Sequence, residues 1–167
     1  MSGTTKRRVG AIAFAASLLS AAQTCATPAL AAPPNIVAGP AFSVVVSLSP
    51  KAAARLANPK ETILVTAEFY GVPKAEKQRM ELQGRLDLAP EQDVEIPGAG
   101  TAHFVGPKYD KNKLALVEPG APVVALEIVS GRHSSPDNLL NCTVFEDSLA
   151  LAASKPVAAS CKLITEQ

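Results

Sequence analysis

The sequence predicts an all-β protein, an antiparallel β-sandwich of immunoglobulin-like or transthyretin-like type with a short helical turn, and three observations predict it. Short apolar runs of period two recur along the chain, each bounded by Pro, Gly, Asn or Asp clusters, which gives eight or nine strands. No Gly-rich strand-to-helix unit points to an α/β architecture. The stretch 122–147, PVVALEIVSGRHSSPDNLLNCTVFED, joins two apolar runs by a polar turn and sets Cys142 at the start of the second.

The chain opens with Lys6, Arg7 and Arg8 before an apolar stretch from Val9 to about Ala22, then Pro28 and the triplet Ala29, Leu30, Ala31. Basic, apolar and A-x-A segments in that order predict a cleaved secretory signal peptide over residues 1–31. Its apolar part is shorter than the roughly 20 residues that cross a bilayer, and no transmembrane segment is expected in the mature chain. Two rival readings fit the leader less well. Arg7 and Arg8 lack the sequel of a twin-arginine signal, and Ala22, Gln23 and Thr24 make a poor approach to a lipid anchor at Cys25.

Residues 32–40 form a Pro-rich opening segment, and residues 41–167 a single domain. Residues 42–48 alternate, with Phe42, Val44, Val46 and Leu48 on one side. Ser49 and Pro50 then cap a helical turn of good helix formers that ends at Asn58 and Pro59. Residues 61–70 return to period two and are expected to pair with the first strand or lie close to it. The charged run 74–79 reads as a solvated connection with a little helix at most. Residues 81–88 alternate cleanly, with Leu82, Leu86 and Leu88 inward; Val94 and Ile96 begin a shorter strand, and residues 101–105 another. Residues 107–112 read as a turn. The β-branched run 123–129, broken only by Glu127, predicts a strand buried on both faces, with Glu127 near an end or at a polar edge. Residues 131–138 are an exposed connection. Downstream, Cys142, Val144 and Phe145 start a strand, 148–152 alternate, and Val157, Ala159, Cys161 and Leu163 alternate again.

The whole chain has 16 basic and 15 acidic residues; loss of the leader leaves 13 against 15, a net charge near −2 with no basic footprint for nucleic acid. Loss of Cys25 with the leader leaves Cys142 and Cys161 as a pair, expected to form a disulfide in an oxidising compartment. The Ala-rich composition and the leader favour a bacterial periplasm, or secretion.

His133, Ser134, Ser135 and Asp137 carry the residue types of a serine hydrolase triad. Neighbours in one turn rarely converge on a single reacting atom, however, and no G-x-S-x-G elbow occurs. A turn capping its own backbone through Ser135, Asp137 and Asn138 is the plainer reading. His103 and His133 are too few for a metal site, even with Asp110 beside His103, and no C-x-x-C-H motif attaches haem, so neither metal nor cofactor is expected. Glu68, Asp87, Glu95, Glu118 and Glu127 lie on or beside strands, with nothing to single out a glycosidase pair. The candidate binding surface is Arg132, His133, Ser135, Asp137 and Asn138, joined by Tyr70, His103 and Tyr109, in or beside the loops 69–73 and 104–110.

The segment 46–73, VSLSPKAAARLANPKETILVTAEFYGVP, resembles the opening of small periplasmic β-domains such as the one at the end of cytochrome c maturation subunits. A strand, a Ser-Pro helical turn and an alternating strand ending at a glycine carry the likeness. It implies a periplasmic sandwich that acts through protein contacts and assigns haem to no residue. The expected function is a non-enzymatic protein-binding or assembly module partnering another envelope protein. The alternatives are an inhibitor or a carrier of a small apolar ligand and, behind these, a hydrolase.

Overall fold

The computed structural model describes residues 35–57, 60–120 and 122–166, so the expected leader and Cys25 lie outside the described residues. In chain order the elements are β1 (Ile36–Ala38), β2 (Phe42–Leu48), α1 (Pro50–Ala57), β3 (Ile63–Gly71), α2 (Glu76–Glu81), β4 (Leu86–Ile96) and β5 (Gly100–Phe104). Then come β6 (Lys108–Asp110), α3 (Lys111–Leu114), β7 (Val123–Ser130), β8 (Leu140–Cys142), β9 (Phe145–Ser148), α4 (Leu149–Ser154) and β10 (Val157–Leu163).

Two four-stranded sheets form a sandwich, ordered β5-β2-β10-β8 and β4-β3-β7-β9, and β1 pairs with β6 in a separate ribbon. The period-two residues make the core. Phe42, Val44 and Val46 of β2 and Ile63, Val65, Ala67 and Phe69 of β3 are all buried. Between the sheets the Phe42 ring stacks on Phe104 at 4.8 Å and meets Phe69 edge-on at 6.3 Å. The first two long strands thus lie close, as expected, but in opposite sheets. The expected cap is also formed: Ala52 N donates to Ser49 Oγ at 3.0 Å, and α1 buries Ala52 and Leu56. Cys142 and Cys161 are bonded, directly opposite one another on neighbouring strands with Cα atoms 4.0 Å apart.

Several expectations are corrected. β2 and β10 run parallel, so the sandwich is not wholly antiparallel; alternation is blind to strand direction. β7 is interior to its sheet, between β3 and β9, but buried fully on one face only. Glu127 is exposed in mid-strand opposite Thr66, because no layer among the described residues covers the outer face. Residues 81–85 are the end of α2 and a turn, with Gln83 and Gly84 at φ 53° and 83° stopping the helix; Leu82 is exposed, not inward. The two strands expected over 81–88 and from Val94 are one long edge strand. It tolerates Pro90 at the edge, where the register of β3 against it shifts between Ala67 and Tyr70. Residues 149–154 are helical, Ser148 capping Leu151 N, because buried Leu149 and Ala152 are three apart and suit one face of a turn. The Pro-rich segment 32–40 holds β1, and the turn 107–112 holds its partner β6.

Candidate functional site

The register places the site. Ile63, at the start of β3, sits opposite Ser130 at the end of β7 and Ile96 at the end of β4, so Glu61, Thr62, Glu95 and the 131–139 loop meet at one end of the sandwich. Gly131 N donates to Thr62 O at 2.9 Å, carrying the pairing one residue past the strands. A Cβ at Gly131 would stand 1.9 Å from Thr62 Oγ1, so the close approach requires glycine.

Glu61 is the anchor. Its side chain is buried, 1 % exposed, between α1 and the loop. Oε1 accepts from His133 N at 2.9 Å and Thr62 N at 3.1 Å, and Oε2 from Ser134 N at 2.7 Å and Ser134 Oγ at 2.5 Å. Burial pushes the carboxyl pKa up. Those four hydrogen bonds, Ser134 Oγ foremost, outweigh burial and lower it from 4.5 to about 2. The far foot of the loop is tied by Asn138, whose Oδ1 accepts from Ser130 N and Leu140 N, both at 3.0 Å, while Nδ2 donates to Leu140 O at 2.8 Å. Leu139 N donates to Ser130 Oγ at 3.0 Å.

Outside this cradle lies a second, solvated carboxylate. Glu95 Oε1 accepts from Thr62 Oγ1 and stands 2.5 Å from His133 Nε2. The Thr62 hydroxyl and His133 hold Glu95 below the usual carboxylate range, and Glu95 in turn raises His133 above the usual imidazole range. Arg132, Pro136 and Asp137 are exposed at the tip, with Arg132 in the left-handed region at φ 61°.

Of the residues singled out from sequence, Arg132, His133, Ser135, Asp137 and Asn138 do share this loop. Ser135 Oγ accepts from Asp137 N at 3.2 Å, the turn cap expected of it, and Asn138 is spent on holding the loop shut. The triad types do not converge: Ser134 Oγ donates to Glu61 and His133 Nε2 turns to Glu95. The other three candidates lie at the opposite end of the sandwich. Tyr70 is buried beneath Arg85, whose guanidinium carbon is 3.8 Å from the ring centroid, and its hydroxyl donates to Glu146. Tyr109 is buried, 2 % exposed. Both were expected at the surface. Only His103 is exposed, on β5. The two residues that organise the site, Glu61 and Thr62, read in sequence as the first positions of an alternating strand, and no local signal sets them apart.

Among the described residues no group of three or more His, Cys, Asp or Glu side chains is arranged to hold a metal ion. No protein-family model matches the chain, and neither a curated protein nor a solved structure matches it.

Proposed function

We propose that the chain is an exported, non-enzymatic binding module of the bacterial envelope, its leader removed, that captures another envelope protein with the 131–139 loop. The observation that carries this reading is the Glu61 carboxylate, which fixes the backbone of His133 and Ser134 from a different element. A loop already held in one shape loses little conformational freedom on binding, so its exposed side chains spend their contacts on affinity. Arg132 and Asp137 offer one charge of each sign, and His133 a ring held by Glu95. The disulfide suits an oxidising compartment, and no helix among the described residues is long and apolar enough to cross a membrane. Two four-stranded sheets with the chain crossing repeatedly between them support an immunoglobulin-like or transthyretin-like sandwich.

Native mass spectrometry of the protein taken from its own envelope extract tests the reading, with a variant carrying Arg132→Ala, His133→Ala and Asp137→Ala beside it. The His133 contact to Glu61 is through its backbone, so the variant keeps the cradle. A protein complex lost in the folded variant supports loop capture. A complex that persists unchanged removes this surface from consideration.

A further inference from the structure

At the end of the sandwich away from the loop, a cleft of about 460 Å³ opens beside the β1–β6 ribbon, with Val117, Pro122 and the start of α4 on its other walls. Its volume falls in the range of small-molecule sites, roughly 300–1,000 Å³. Tyr109, Val117 and Leu149, each no more than 3 % exposed, are among the residues that line it, and the packing is set by Gly39. A Cβ there would lie 2.9 Å from the Tyr109 ring and 3.1 Å from Leu149. Among the described residues, the two charged ones lining the cleft already have partners: Lys74 Nζ donates to Ala115 O at 2.9 Å, and Glu118 accepts from Arg79 at 3.0 Å. One polar group is left over. The Tyr109 hydroxyl is buried and has no hydrogen-bond partner among the described residues, and burial pushes its pKa far above the usual phenol value, so it keeps its proton.

We propose that this cleft binds a small, neutral, mostly apolar molecule carrying one hydrogen-bond-accepting oxygen, which the Tyr109 hydroxyl recognises. The apolar lining supplies the contact area and the unused O–H supplies the orientation. The hydroxyl has no surface open to water, so the accepting oxygen reaches it only as the walls shift and after shedding its own hydration. A ketone or ester oxygen sheds that hydration readily, whereas a carboxylate would lose more than one hydrogen bond returns.

Acetophenone and isopropylbenzene make a matched pair of probes, alike in shape and differing in the carbonyl. Titrated into the full-length chain and followed by amide chemical shifts, acetophenone is expected to move Gly39, Tyr109, Val117 and Leu149 and to bind about tenfold more tightly than isopropylbenzene, one hydrogen bond's worth. Tyr109→Phe is expected to erase that difference and leave isopropylbenzene binding intact. Ala150→Trp, at an exposed position lining the cleft, is expected to block both probes. Absence of shifts up to the solubility limit overturns the proposal, as does equal affinity for the two probes or a difference that survives Tyr109→Phe. Should Tyr109→Phe fail to fold, unchanged binding in Ala150→Trp overturns it and loss of both probes, with acetophenone still preferred in the parent chain, sustains it. None of these positions touches the 131–139 loop, so protein capture there stands or falls separately.

Discussion

The two ends of the sandwich are closed by opposite physics. At the loop end, polar groups do the work: a buried carboxylate collects four hydrogen bonds, and a second one outside it holds a histidine. At the cleft end, apolar side chains pack around a glycine, and the buried Tyr109 hydroxyl is left without a partner among the described residues. A directional network specifies one loop shape and makes that shape depend on protonation. Apolar packing is non-directional; it leaves room beside the β1–β6 ribbon and is indifferent to pH over the range where carboxylates titrate.

The largest expected break in this contrast is at Glu61. Glu61→Gln removes the charge that three backbone N–H groups and a hydroxyl are arranged around, and is expected to cost on the order of 3 kcal/mol in urea denaturation at neutral pH. The carboxyl pKa is lower in the folded chain, so its stabilisation is fully present above about 4.5 and is lost as pH falls toward about 2. An acid limb that survives in Glu61→Gln would place the pH sensitivity elsewhere. Removal of the disulfide by Cys142→Ser with Cys161→Ser acts on the same end through the chain rather than through charge. For a separation of 19 residues the expected loss is about 3 kcal/mol, of the same order as at Glu61 but independent of pH.

The two glycines compare the ends directly. Gly39→Ala crowds Tyr109 and Leu149, and Gly131→Ala drives into Thr62 Oγ1; each is expected to cost about 2 kcal/mol as overpacking. Only Gly131→Ala should also release His133 from Glu95, visible as a fall in the His133 pKa by NMR titration. The smallest effect is that of the exposed pair itself. His133 titrates higher in the folded chain, so its contribution is whole below the ordinary imidazole value and disappears as pH rises through its own raised value. Glu95→Gln should return His133 toward the ordinary value with little change in the unfolding midpoint. A large loss of stability would show that the solvated pair, rather than Glu61, holds the loop.

The loop end was half legible. Gly131, Ser135, Pro136, Asp137 and Asn138 mark a turn by their own backbone chemistry, and that part needs no tertiary knowledge. Glu61 was not legible, because its partners His133 and Ser134 are 72 and 73 residues away and a buried carboxylate has the same letter as a solvated one. At the cleft end, Tyr109 reads as a loop aromatic because β1 and β6 are three residues each, too short to show a period. The helix α4 reads as strand for a related reason: Leu149 and Leu151, two apart, mimic alternation, and six residues are too few for the buried pair Leu149 and Ala152 to outweigh it.

What the sequence by itself determined are features written in neighbouring residues or left by elimination. These are the mostly-β patterning, the inward faces of β2, β3 and β10, the cap on α1, and the pairing of Cys142 with Cys161 under the expectation that Cys25 leaves with a leader. Only the tertiary structure decided that β2 and β10 run parallel, that Glu61 grips a loop beyond a strand of the same sheet, and that Tyr109 lines a cleft. Those outcomes depend on contacts between residues far apart in the chain, where burial and hydrogen bonding are settled by the sheets' register and leave no local periodicity.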